Sequence, residues 1–328
     1  MLNPKLFLNQ AIFETKIDEK ATRDGFGDAL ISLGEKNKDV VVLTADLSES
    51  TRAEGFAKKF PERFFEVGVA EQNMAAIAAG LAISGKIPFI CSYAVFSPGK
   101  NLETIRTTIA YNNANVKIAG HHSGIATGAD GATHQATEDI AITRSLPGVT
   151  VFVPCDFWEA KKITLESVNI KGPVYLRFTR DKTPVITSEK TPFNQRAIES
   201  FWISENPKAT IFATGYMLYY ALLSAKALEQ KGIDTIVANL ATIKPADEKT
   251  IVDLARQSGR VVTVEDHQVM GGMGSMIAEV LAKNLPTPME FVGLQDTFGE
   301  SGKPVELLRK YKMDETAIIE AVEKVITR

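Results

Sequence analysis

Short β-branched runs alternate with helix-like stretches along nearly the whole of this 328-residue chain. The run Val40-Val41-Val42-Leu43 is apolar at every position, which suits a strand buried on both faces. Such strands require helices above and below, so the alternation predicts a parallel sheet covered by helices. Helical spacing marks Thr22–Gly34, Met74–Ser84, Leu102–Tyr111, Thr137–Ser145 and Phe157–Val168. Strands are expected at 39–44, 64–67, 87–90, 116–119, 150–153 and 174–178. The polar stretch Asp181–Lys208, with Pro184, Pro192 and Pro207, reads as a linker. The alternation then resumes with strands at 209–213, 234–238 and 260–264, and helices at 218–230, 247–257 and 276–283. A chain this long exceeds one typical core. The expected fold class is therefore α/β with two αβα domains, residues 1–194 and 195–328.

The charge pattern narrows the function classes. The net charge is −3 and basic residues are interleaved with acidic ones, so there is no electrostatic footprint for nucleic acid. No apolar run approaches the ~20 residues of a membrane span, and Met1-Leu2-Asn3-Pro4-Lys5 does not open a signal peptide. Cys91 and Cys155 both lie in apolar strand-like contexts. They read as free buried thiols, so a reducing, cytoplasmic setting is expected.

Candidate chemistry sits between the predicted elements. Three of the four histidines fall in Gly120–Gln135, a stretch with four glycines that reads as a loop. It is expected to bring His121, His122, Asp130 and His134 together, and histidine moves protons readily near neutral pH. Their spacing is not that of a zinc site, so no metal ligands are assigned. Glu71 lies between a strand and an alanine-rich helix. Two roles suit it: a first-turn acid that complements the helix dipole, or a carboxylate among small apolar neighbours whose raised proton affinity suits acid–base work. Asp46 and Ser50 follow a buried strand, where ligands bind in open parallel sheets, and helix capping explains either one as well. Phe96 is a core aromatic or a stacking platform. Arg177 and Arg180 are a phosphate or carboxylate clamp, or a solvated strand end. Gly271–Ser275 opens a helix and can cradle an anion or serve close packing. Glu265-Asp266-His267-Gln268 reads as a surface cluster capping a helix.

These segments together resemble the second half of transketolase and its thiamine-diphosphate relatives, over nearly the whole chain. The most specific piece is Gly128-Ala129-Asp130-Gly131-Ala132-Thr133-His134-Gln135, followed by Ala45-Asp46-Leu47 and the Glu71 segment with Ala75–Gly80. The resemblance implies a pyrimidine-binding domain followed by a smaller C-terminal domain. It implies that Glu71 hydrogen-bonds the cofactor's pyrimidine nitrogen, that Phe96 stacks on that ring, and that Asp46 and Leu47 lie near the thiazolium. Asp130 and His134 match contacts to donor-sugar hydroxyls, with His134 also handling protons. Arg23, Ser50, Arg180 and one of His121 and His122, taken as His122, match a sugar-phosphate site.

The family also needs a Gly-Asp-Gly segment with a downstream asparagine to hold Mg²⁺ and the diphosphate, and this sequence has none. The domain that normally precedes Thr22 is also lacking, and Met1–Lys20 is too short to replace it. The resemblance therefore implies one half of a split enzyme. A separate N-terminal subunit would supply the Mg²⁺ and diphosphate site in an α₂β₂ assembly acting on sugar phosphates. Rival readings are a deoxyxylulose-phosphate-synthase-like enzyme, the β subunit of a 2-oxo-acid dehydrogenase, and a non-catalytic assembly subunit.

Overall fold

The computed structural model describes residues 1–328. In chain order its elements begin with β1 Glu19–Lys20, α1 Thr22–Lys36, β2 Val40–Thr44, α2 Glu54–Lys59, β3 Phe64–Glu66, α3 Glu71–Ile83 and β4 Ile87–Tyr93. Next come α4 Leu102–Thr104, β5 Lys117–His121, α5 Asp139–Ser145, β6 Thr150–Phe152, α6 Phe157–Ser167, β7 Val174–Arg177 and β8 Thr183–Pro184. The remainder is β9 Glu199–Trp202, β10 Ala209–Ala213, α7 Met217–Gln230, β11 Thr235–Asn239, β12 Thr242–Lys244, α8 Glu248–Ser258 and β13 Val261–Gln268, then α9 Met273–Asn284, β14 Met289–Leu294, α10 Pro304–Lys310 and α11 Glu315–Val325.

Two sheets carry the fold. The first has seven strands in the order β12-β6-β7-β5-β4-β2-β3, all parallel except β12, which runs antiparallel to β6. The second has five, β14-β13-β10-β11-β9, all parallel except β9 against β11. Every residue of β2, β5, β7, β10 and β11 is buried, as expected for parallel strands with helices on both faces.

Three local expectations change. The 181–208 stretch contains β8, paired antiparallel with β1, and β9, an edge strand of the second sheet; its partners are too distant in sequence for local pattern to reveal them. The helix expected over 102–111 is one α-turn that continues as a π-helical segment, Ile105–Ala110. Strand β12 leaves the second half of the chain to complete the first sheet. The halves also share a core: Met74, Ile90 and Ile140 belong to one buried cluster with Phe212, Ile251 and Met276. Cys91 and Cys155 are free and fully buried.

Candidate functional site

Six of the seven strands of the first sheet run the same way, so their carboxyl ends line one edge, where open α/β sheets bind ligands. The end of β2 delivers Asp46–Ser50, β4 delivers Tyr93 and Phe96, β5 delivers His121 and His122, and β7 leads to Arg180. Helix α1 adds Arg23 from its first turn, and α3 opens at Glu71.

Glu71 is only 2% exposed. Its Oε2 accepts from Lys100 Nζ at 2.8 Å, and Asn101 Nδ2 donates to its carbonyl at 3.1 Å. The carboxylate is thus nearly excluded from water, with one cation reaching it from the rim. No motif in the sequence points to Lys100, although a lysine straight after Ser97-Pro98-Gly99 marks a turn beyond a strand. Phe96 is half-buried and stacks on Tyr93 with ring centroids 5.8 Å apart. The same Tyr93 lies 3.8 Å from the His122 ring and 5.8 Å from the His134 ring. Tyr93 belongs to no sequence motif, yet it is the aromatic that gathers this group.

Neither Asp46 nor Ser50 caps a helix. Helix α2 starts at Glu54 behind Ala53, with no side-chain cap. Asp46 instead takes a left-handed backbone, φ +60°. Its amide donates to Glu66 Oε1 at 2.8 Å, which leaves its own carboxylate exposed beside the half-buried Leu47. The Ser50 carbonyl accepts from Arg23 Nη1 at 2.8 Å.

The neighbouring histidines separate completely. His121 lies in the core, with its ring 4.9 Å from Phe26 and 5.1 Å from Phe178. It therefore does not converge with the others, because consecutive strand positions face opposite sides of a sheet. His122 turns to the open edge with φ +55°. Burial, followed by the charges of Arg23, Arg180, His134 and Arg52, pushes its pKa down to about 3. Burial and then Arg52 lower Arg23 as well, against the opposing pull of Asp24. Arg23 Nε and His122 Nδ1 are buried without hydrogen-bond partners. A concentration of cationic groups with unused donors fits a phosphate. Asp130 sits at its margin, 3.7 Å from Arg180 Nε. His134 Nδ1 is 2.9 Å from Thr133 Oγ1.

Other candidates resolve as structural. Arg177 is no clamp for a ligand: it is buried and grips Asp139 with Nε–Oδ2 at 2.8 Å and Nη2–Oδ1 at 3.2 Å. The group cradled at Gly271–Ser275 is the chain's own Glu265, whose carboxyl oxygens accept from Met273 N at 2.7 Å and Gly274 N at 2.8 Å. His267 is fully buried rather than on the surface. A groove of about 650 Å³ beside Arg106, Tyr111 and Gly148 contains none of the residues above. No group of three or more His, Cys, Asp or Glu side chains is placed to hold a metal ion.

Residues 18–185 match the family model "Transketolase, pyrimidine binding domain", and residues 202–318 match "Transketolase, C-terminal domain". The chain belongs to the transketolase family. Transketolases depend on thiamine diphosphate. The chain is 37% identical to the 6-deoxy-6-sulfo-D-fructose transketolase subunit SqwH of a Clostridium species, over 96% of this chain and 98% of that one. It is 36% identical to an apulose-4-phosphate transketolase subunit of Phocaeicola vulgatus, over 91% and 95%. A solved structure described as "Split gene transketolase, inactive beta4 tetramer" superposes with a TM-score of 0.87 at 45% identity, covering 94% of this chain and 98% of that one. The family is thus that of split transketolase subunits equivalent to the C-terminal half. No helix is long and apolar enough to cross a membrane.

Proposed function

We propose that this chain is the C-terminal subunit of a split transketolase that moves a two-carbon ketol unit between sugar phosphates in the cytoplasm. A separate N-terminal subunit would hold Mg²⁺ and the diphosphate of thiamine diphosphate in an α₂β₂ complex. Residues 1–194 would bind the pyrimidine and 195–328 form the C-terminal domain. The observation that carries this reading is one sheet edge offering a water-excluded carboxylate, an aromatic pair and a cluster of arginines around the unpartnered Arg23 Nε and His122 Nδ1.

Bound thiamine diphosphate supplies a carbon nucleophile that accepts and stabilises the two-carbon unit. Glu71 would hold the pyrimidine nitrogen. Its Oε2 is engaged by Lys100, which leaves Oε1 for the ring. Phe96, braced by Tyr93, gives a flat face for stacking, while Asp46 and Leu47 would border the thiazolium. The contact of His134 Nδ1 with Thr133 leaves Nε2 to exchange a proton with a donor hydroxyl, and Asp130 orients a second hydroxyl. Arg23, Arg180, His122 and Ser50 would fix the distal phosphate and so turn binding energy into positioning.

The need for a partner is supported by the outer face of α3. Ala76, Ile77, Gly80 and Ile83 are exposed there beside Val69, which is 70% exposed. An apolar face of this kind suits burial against another subunit.

The test combines the chain with its partner, Mg²⁺, thiamine diphosphate, a ketose phosphate and an aldose phosphate. Ketol transfer is expected from the pair and not from this chain alone. Glu71→Ala should lower turnover by at least about 100-fold. Full activity of that variant, or a preference for pyruvate as donor, would refute the assignment.

A further inference from the structure

No residue assigned to the site lies beyond Arg180, yet the loop carrying Asp130 and His134 is held from the other half of the chain. Asp266, at the end of β13, is buried. Its Oδ1 accepts from Ile125 N at 2.9 Å, and its Oδ2 accepts from Ala126 N at 3.3 Å and from the Tyr216 hydroxyl at 2.8 Å. The approach requires glycine next door: a Cβ on Gly124 would lie 2.0 Å from Asp266 Oδ2. The loop is tied again at its far end. Arg177 Nη2 donates to the Asp266 carbonyl at 2.8 Å and to the Ala136 carbonyl at 3.2 Å. Gln135 Nε2 donates to the Glu300 carbonyl at 2.9 Å and the Gly128 carbonyl at 3.2 Å. In between, a Cβ on Gly131 would fall 2.5 Å from Ser301 Oγ.

We infer that Asp266 is a positioning residue: through the Ile125 and Ala126 amides, the C-terminal domain sets where Asp130 and His134 meet the donor sugar. The inference rests on the transketolase reading above. A buried carboxylate is costly unless its lone pairs are satisfied. Here it has three donors, two of them on the loop that carries the proposed sugar contacts. Burial raises the Asp266 carboxyl from its usual range, with Arg177 opposing, and the Tyr216 hydroxyl and the two amides are arranged to hold the ionised form. A shift of about 1 Å at such a loop is enough to cost roughly 100-fold in rate.

The experiment compares the wild-type complex with Asp266→Asn and, as a milder change, Tyr216→Phe. Each is assayed with a ketose phosphate, whose hydroxyls beyond the two-carbon unit Asp130 and His134 would contact, and with hydroxypyruvate, a ketol donor that releases CO₂ and has no hydroxyl beyond that unit. Hydrogen exchange at the Ile125 and Ala126 amides is followed in parallel. For Asp266→Asn, kcat/KM for the ketose phosphate should fall by about 10–100-fold, with less than about three-fold change for hydroxypyruvate and faster exchange at both amides. Tyr216→Phe should shift the same quantities in the same direction by less. Equal losses on both donors, or no change on either, would overturn the inference. Should Asp266→Asn not fold, Tyr216→Phe decides by the same comparison. A wild-type complex inactive on both donors would sink the transketolase reading instead. The clamp is then judged on exchange alone: faster exchange in the variants upholds it, and unchanged exchange overturns it.

Discussion

Replacing Arg177 by Met would remove the cation from a carboxylate that has no route to water. The side chains of Arg177 and Asp139 are 4% and 1% exposed, and the pair is bidentate, with the Tyr175 hydroxyl donating to Asp139 Oδ2 at 2.6 Å. Burial by itself pushes the Asp139 carboxyl up, but Arg177, together with His267 and the Tyr175 hydroxyl, outweighs it and holds the group below its ordinary range. Removing one partner of a buried pair costs about 3–5 kcal/mol. In domains of this size each kcal/mol corresponds to about 2–4 °C, so the melting temperature at pH 7 should fall by roughly 6–20 °C. The pH dependence carries a sign. In the wild type the depressed pKa contributes stability above the unfolded value of about 3.9 that is lost as pH falls through the folded value. In Arg177→Met the largest influence opposing burial is gone, which shifts the balance toward the protonated acid. The penalty therefore grows as pH rises above about 4 and shrinks on acidification. In the wild type burial pushes His267 down to about 4, with Asp139 pulling it up and Arg177 pushing it further down. Calorimetric melts of both proteins from pH 5 to 8 measure the gap. A gap under about 2 °C at pH 7, or one that widens toward pH 5, would refute this account.

Two further outcomes follow from the cationic cluster. Arg180→Ala should raise KM for a phosphorylated donor by about 10–100-fold, the worth of a charged hydrogen bond, and have much less effect on an unphosphorylated one; an unchanged KM for the phosphorylated donor removes Arg180 from the anion site. His122, with its pKa pushed down to about 3, should stay neutral from pH 5 to 8 in the free chain. A ring NMR signal of His122 titrating near pH 6.5 contradicts that.

The α/β class and the parallel core were legible because strand and helix periodicity is a short-range signal. The stretch Val40–Leu43 needs no distant partner to reveal that both its faces are covered. The motifs around Glu71, Asp130 and His134 were legible for the same reason, each being contiguous. Helix starts were less so: α3 opens at Glu71 rather than Met74, behind Ala70, which offers no capping side chain to mark the position.

Contiguous sequence by itself determined the layered α/β architecture, its family and the segments that face the sheet's carboxyl edge, since each depends on neighbours a few positions away. Only the tertiary structure decided which of His121 and His122 reaches that edge, that Arg177 serves the core while Arg180 faces outward, and that Lys100 pairs with Glu71. It alone joined Asp266 to the amide of Ile125, 141 positions earlier. Burial and pairing over such separations arise from how the sheets and helices pack, and no local pattern of residues encodes that distance.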